Sequence, residues 1–217
     1  TAVEDAARRV GEVAGRLSRK RIDAAKKLTT QVTKELSALR MERTRFAVEV
    51  LPLPGETSYG QMGHDVVEFV FSANPGEPLK PLAKVASGGE LSRVMLALKT
   101  ILAESDRGPV LIFDEVDAGV GGAVAEVMGT RLRDLSRHHQ VLCVTHLPQV
   151  GSQAHAHYLV EKQVRQQRTV TQVRLLTERE REEEVARMLA GVTVTNSARA
   201  AAAEMIGSAK ERRARSD

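Results

Sequence analysis

Two short apolar runs constrain this sequence more than anything else in it, because each stops abruptly at polar residues capable of chemistry. Val110-Leu111-Ile112-Phe113 runs straight into Asp114-Glu115, and Val141-Leu142-Cys143-Val144 into Thr145-His146. Runs of this length without polar alternation suit strands buried on both faces, as in a parallel sheet covered by helices. The stretch from about Ala123 to Arg137 has helical spacing, so the two runs are joined as strand, helix, strand. The expected fold class is therefore α/β, with a parallel sheet flanked by helices.

At the carboxyl end of a parallel strand, side chains face the crevice where ligands bind. Two adjacent carboxylates there need partners, because a buried strand does not tolerate unpaired charge. Asp114 is placed to hold Mg²⁺, directly or through water, and Glu115 to orient or deprotonate an attacking water. The plainer alternative is that both acids cap the next helix. His146 can donate a hydrogen bond to a terminal phosphate, although a histidine alone is more often structural. A third element lies upstream, where Ser87-Gly88-Gly89-Glu90-Leu91-Ser92-Arg93 opens a helix from about Gly89 to Ala103. Glycines let a ligand approach the backbone, the helix start suits an anion, and Ser87 adds a hydroxyl. In isolation such a segment is more often a flexible helix cap.

The three elements in this order resemble the ABC ATPase head of SMC-like proteins. Ser87 to Arg93 looks like the ABC signature, Asp114-Glu115 like the Walker B pair, and His146 like the switch histidine. Phe113-Asp114-Glu115-Val116-Asp117-Ala118-Gly119-Val120-Gly121-Gly122 and Thr145-His146-Leu147-Pro148-Gln149-Val150 narrow the likeness to the RecN family of bacterial DNA repair proteins. So does the ending Glu184-Val185-Ala186-Arg187-Met188-Leu189-Ala190-Gly191, followed by Thr193. The resemblance implies the C-terminal lobe of an ABC/SMC-like ATPase head preceded by a coiled-coil helix, with ATP and Mg²⁺ as cofactors. It implies that Glu115 and His146 are catalytic, that Asp114 binds the metal, and that Ser87, Gly88, Gly89 and Glu90 contact nucleotide across a head dimer. Most SMC-like heads carry an aspartate six residues after the Walker B glutamate. Here that position is Gly121, which leaves the nucleotide-facing role of the loop to Asp117 or to backbone groups.

A phosphate-binding loop needs Gly-x-x-x-x-Gly-Lys and then Ser or Thr. The nearest candidate, Gly55 to Gly60, continues with Gln61-Met62 and lacks both the lysine and the hydroxyl. In the RecN family that loop lies in the N-terminal half, so the resemblance implies a composite site. The implied partners are the Walker A half of the same head, a second head, and DNA held through its phosphate backbone without sequence preference. Hydrolysis is then expected only after completion by the Walker A half.

The remaining organisation follows from patterning. Residues 2–43 contain no proline, and Val3, Ala7, Val10, Ala14, Leu17, Ala24 and Leu28 recur at steps that alternate mainly between four and three. Arg21 interrupts the series, and Val32, Leu36 and Leu39 resume it in shifted phase, as in one strand of a coiled coil. The expected division is thus a coiled-coil arm over 1–43 and a head lobe over 44–217. Within the lobe, strands are expected at Phe46 to Val50, Val66 to Phe71, Tyr158 to Glu161 and Val170 to Leu176. Closing helices are expected over about 179–190 and 196–209, with Thr195 as N-cap and a frayed, charged tail from Lys210 to Asp217.

Residues 1–45 hold twelve Lys or Arg against six Asp or Glu, so this segment carries +6 and the rest −2, for a net +4. A basic arm suits a polyanion such as DNA, or simply a solvated helix face. Aromatics amount to 3%, which argues against binders that stack bases on aromatic platforms. Cys143 is the only cysteine, so no disulfide framework is expected and a reducing cytoplasm is the natural expectation; the family resemblance implies a place at the bacterial nucleoid. No apolar stretch approaches a membrane span, and no membrane partner is expected. Two other classes fit less well. A transporter's nucleotide-binding subunit has no use for the long basic helix, and a pure interaction module has no use for the acids and the histidine together.

Overall fold

A computed structural model describes the 217-residue chain except residues 56–58, 86, 106–107, 109, 166–167 and 215–217. The chain forms two compact units, Thr1–Ile101 and Leu102–Asp217.

The first unit is built on a long helix, α1 (Ala2–Ala38), laid along an antiparallel sheet. Strands β1 (Arg45–Pro52) and β2 (Asp65–Ser72) pair over their full lengths, from Arg45 opposite Ser72 to Pro52 opposite Asp65. A two-residue strand, β3 (Lys80–Pro81), continues the sheet beside β2. Helix α2 (Gly88–Leu102) completes the unit. Their shared core is Val32, Leu36, Met41, Phe46, Phe71, Val94, Ala97 and Leu98. Full burial of one such side chain is worth about 1.5–3 kcal/mol, so this cluster holds α1 onto the sheet.

Helix α1 ends earlier than residue 43 because the chain reverses at Arg40, which has φ +59°. The Met41 N–H donates to the Leu36 carbonyl at 2.9 Å and the Arg40 N–H to Ser37 at 3.1 Å. This is the Schellman closure, here with arginine where glycine is usual, and Leu36 and Met41 supply its apolar contact. Val3 and Val10 are exposed, whereas Ala14, Ala25, Val32 and Leu36 are buried. The phase slip at Arg21 has a physical cause. Arg21 and Ser18 lie on the packed face and bond the buried carboxylate of Asp65, at 3.2 Å and 2.8 Å. Expected stripe member Ala24 is exposed, and Ala25 takes its place. Further along, the Val48 N–H donates to Thr29 Oγ1 at 3.2 Å, tying β1 to the helix.

In the second unit, β4 (Val110–Phe113) and β5 (Gln140–Cys143) are parallel neighbours in register, joined by α3 (Gly122–Leu135). Short α4 (Pro148–Gly151) follows β5. Strands β6 (Tyr158–Arg165) and β7 (Arg168–Leu175) form an antiparallel hairpin, and α5 (Glu178–Ala190) packs with α6 (Asn196–Ala214) through Val185, Ala186, Ala202 and Ile206. Buried Arg181 on α5 donates to the carbonyls of Ser152 and Ala154 at 2.8 Å and 2.6 Å, fastening α5 to the end of α4.

The fold is α/β with a parallel pair and a long first helix, as expected, but cover on both faces of that pair is not what is observed. Phe113 is buried and Leu111, Val141 and Cys143 are half-buried, while Ile112 is 71% and Val144 64% exposed. The tail also differs from expectation, since α6 continues as helix through Ala214. Lys210 pairs with Glu178 and Arg212 with Glu126, and these ion pairs hold its last turns. The Ala198 N–H donates to Thr195 Oγ1 at 3.2 Å, the expected cap. The loop from Gly55 to Gly60 includes Glu56–Ser58, which lie outside the described residues; Gly60 and Gly63 beside it form an isolated bridge.

Candidate functional site

The parallel pairing brings the ends of β4 and β5 side by side. Phe113 lies opposite Cys143, and the Val144 N–H still donates to the Phe113 carbonyl at 2.9 Å. Asp114-Glu115 and Thr145-His146 therefore leave the sheet at the same edge. Asp114 and Glu115 are both exposed, and Asp114 Oδ1 accepts from the Glu115 N–H at 2.9 Å. Glu115 has φ +56°, a left-handed conformation that a side chain tolerates only at a cost. That turn reverses the chain: the Ala118 N–H donates back to the Glu115 carbonyl at 3.0 Å, and Val116 and Asp117 point into the protein.

Asp117 is the centre of this edge. Its side chain is 5% exposed, and Oδ2 accepts from Thr145 Oγ1 at 2.6 Å and from the His146 N–H at 3.1 Å. His146 Nδ1 lies 3.2 Å from the same oxygen, while the ring as a whole is 73% exposed. Thr145 Oγ1 in turn accepts from the Leu147 N–H at 3.0 Å, and the chain passes directly into α4. The resemblance leaves the nucleotide-facing role of this loop to Asp117 or to backbone groups; within the chain, the contacts of Asp117 are with the histidine loop. Sequence reading gave Thr145 no role of its own; the only available signal was its place next to the histidine after a buried strand.

Cys143 lies half-buried at this edge. Burial, then the negative charges of Asp117 and Asp114, push its thiol up to about 12. A thiol so reluctant to ionise is no nucleophile.

Ser87, Gly88, Gly89 and Glu90 belong to the first unit, at the start of α2. Ser87 Oγ accepts from the Glu90 N–H at 3.3 Å, and the Ser87 carbonyl from the Leu91 N–H at 3.0 Å. Ser87 and Gly88 are exposed, Glu90 is half-buried, and Gly89 is buried. The segment is a solvent-facing helix start, which suits an anion.

Another cluster in the first unit has the residue types of a hydrolytic triad without its geometry. Ser18 Oγ is 3.1 Å from His64 Nε2, and Asp65 Oδ1 is 3.4 Å from that same nitrogen. A triad needs the acid on the other ring nitrogen, so this cluster is a structural pin.

Among the described residues, no group of three or more His, Cys, Asp or Glu side chains could hold a metal ion. Mg²⁺ does not require one, being bound as a rule by one or two carboxylates together with substrate phosphates and water. The exposed Asp114 fits that donor set. No described helix is long and apolar enough to cross a membrane.

Comparison with known proteins agrees with this architecture. The Smc head domain with a coiled coil and joint from Pyrococcus yayanosii superposes with a TM-score of 0.50 at 17% identity, over 76% of this chain and 29% of that one. The fold is that of an SMC-type head, in the lobe that follows the coiled coil. No protein-family model matches. In sequence, the chain is 46% identical to DNA repair protein RecN of Halalkalibacterium halodurans over 84% of its length and 32% of that protein's. It is 44% identical to RecN of Streptomyces coelicolor over 97% and 38%, and 42% identical to RecN of Bacillus subtilis over 86% and 34%. The chain is thus a RecN sequence, corresponding to the C-terminal part of those proteins. It spans about a third of the length of the curated relatives it matches.

Proposed function

We propose that this chain forms part of an SMC-like ATPase in DNA double-strand break repair, with residues 1–43 as a coil arm and 44–217 as a head lobe. It contributes the signature, Walker B and switch-histidine groups to an ATP site shared between two heads. The observation that carries this reading is the common edge of β4 and β5. There two acids and an imidazole emerge together at the carboxyl ends of parallel strands, where α/β folds bind ligands.

In this reading Asp114 holds Mg²⁺ and Glu115 takes the proton of the attacking water. His146 Nε2 meets the terminal phosphate, and Ser87, Gly88, Gly89 and Glu90 present the α2 start to the nucleotide of the opposite head. Bound Mg²⁺ supplies compensation for phosphate charge. The uncovered side of the parallel pair supports completion by a second polypeptide segment: Ile112 and Leu142 are exposed opposite one another, a surface fit for the Walker A half of the head. The basic arm supports contact with DNA phosphates, which makes binding steeply salt-dependent and indifferent to sequence.

The test is reconstitution. With the Walker A half supplied, the head should hydrolyse ATP, and Glu115→Gln should abolish turnover while ATP remains bound. Normal hydrolysis by that variant would remove Glu115 from the role of general base.

A further inference from the structure

His146 carries a ring that is 73% exposed, so packing of the ring contributes little to where it points. Its place has to come from the main chain on either side. Upstream, Thr145 Oγ1 and the His146 N–H bond the buried Asp117. Downstream, the chain enters α4, a single turn too short to be a stable helix by itself. From the contacts at the far end of that turn we infer that Arg181 of α5 is a positioning residue, which holds the His146 loop in place by gripping the main chain of residues 151–154. The value of this grip to ATP turnover rests on the proposed role of His146; the grip itself does not.

The connection is short. Arg181 is 4% exposed, and its Nη2 donates to the carbonyls of Gly151, Ser152 and Ala154 at 3.3, 2.8 and 2.6 Å. Gly151 and Ser152 are themselves buried. The last carbonyls of a helix have no partner within it, and a buried carbonyl left without a donor is costly. A guanidinium at this place therefore constrains the segment strongly. The Gly151 N–H in turn donates to the Leu147 carbonyl at 3.0 Å, as the Val150 N–H does at 3.1 Å. Two hydrogen bonds thus lead from Arg181 through Gly151 to Leu147, the residue next to His146. Arg133 of α3 adds a second tie, donating to Gln153 Oε1 at 3.0 Å. Lysine at 181 would keep the charge, but its side chain is one bond shorter and ends in a point charge rather than a planar fork.

Hydrogen exchange of the 217-residue chain, followed by NMR, tests the grip. In wild type the amides of Val150 to Ala154 should exchange as slowly as those within α5. Arg181→Met puts an unbranched side chain without donors at the same place. In that variant these amides should exchange about tenfold faster or more, while the Val144 amide, bonded to Phe113, keeps its rate. Equal rates in the two proteins overturn the inference, as does acceleration spread evenly over Leu102–Asp217. Unprotected amides at 150–154 in wild type overturn it without any variant, and Arg181→Lys carries the same comparison if Arg181→Met does not fold. In the head completed by its Walker A half, Arg181→Lys should lower ATP turnover between about tenfold and a hundredfold with the KM for ATP unchanged, because a misplaced reacting group costs rate rather than binding. In a His146→Ala background Arg181→Lys should have no further effect. Turnover equal to wild type, or losses that add independently, would contradict action through His146. Turnover indifferent to His146→Ala would remove the histidine from the ATPase reading while leaving intact what hydrogen exchange says of Arg181.

Discussion

Gly129 of α3 lies so close to Gln149 of α4 that a Cβ added to it would sit 2.8 Å from the Gln149 carbonyl oxygen. The Cα of Val150 would be 3.2 Å away, so two of the three nearest neighbours are main chain and cannot rotate aside. Helix α4 follows His146 by one residue, and Gly129 therefore sets how near the histidine loop can approach α3.

Gly129→Ala should consequently destabilise the chain by about 1–3 kcal/mol, the usual cost of forcing extra volume into a packed contact. Urea unfolding followed by circular dichroism measures it. A midpoint equal to wild type would show that α4 shifts freely, contrary to the tight contact.

Glu115 makes a second prediction through its backbone. A side chain at φ +56° is strained, and glycine is not. Glu115→Gly should be about 0.5–1 kcal/mol more stable than Glu115→Ala, which keeps the Cβ and so the strain. Equal unfolding midpoints for the two variants would mean that the loop relaxes and stores nothing.

Asp65 contributes to the acid limb of stability. Burial by itself would raise its carboxyl, but hydrogen bonds from Ser18 and Arg21 and the positive charges of His64 and Arg21 outweigh burial and lower it below 3.8. A carboxyl lowered on folding stabilises the protein above its unfolded value and loses that contribution as pH falls through its folded value. Wild type should therefore lose stability relative to Asp65→Asn as pH drops below about 4. Urea midpoints between pH 2 and 6 test it, and parallel curves for the two proteins would refute the assignment.

Cys143 should be nearly inert while the protein is folded. With its thiol at about 12, against an ordinary 9.0, the thiolate fraction at pH 8 falls about a thousandfold. Alkylation by iodoacetamide should accordingly be slower by about three orders of magnitude than in urea. Comparable rates in both conditions would place the thiol in solvent.

The elements were legible because each has a local cause. Apolar runs of four residues, the spacing of Val32 and Leu36, and the Thr195 cap act through neighbours in the chain, so pattern alone located β4, β5, α1 and α6. Arg21 was read as a flaw in a stripe because its reason, Asp65, is distant in sequence and meets it only across the helix–sheet contact. Ile112 and Val144 were expected to be covered because a run of apolar residues does not say whether both covering layers lie in the same chain.

The order of Ser87, Asp114-Glu115 and Thr145-His146, and their places at a helix start and at strand ends, were determined by the sequence itself. Chemistry of that kind is written in residue types and in short-range periodicity. Which way Asp117 turns was decided by tertiary structure alone. Its partners, Thr145 and His146, lie just after β5, 28 and 29 residues further on, and only the parallel pairing of β4 with β5 brings Thr145 within 2.6 Å of it. A carboxylate's role depends on the donors that surround it, and donors from a neighbouring strand are set by folding rather than by adjacency in the chain.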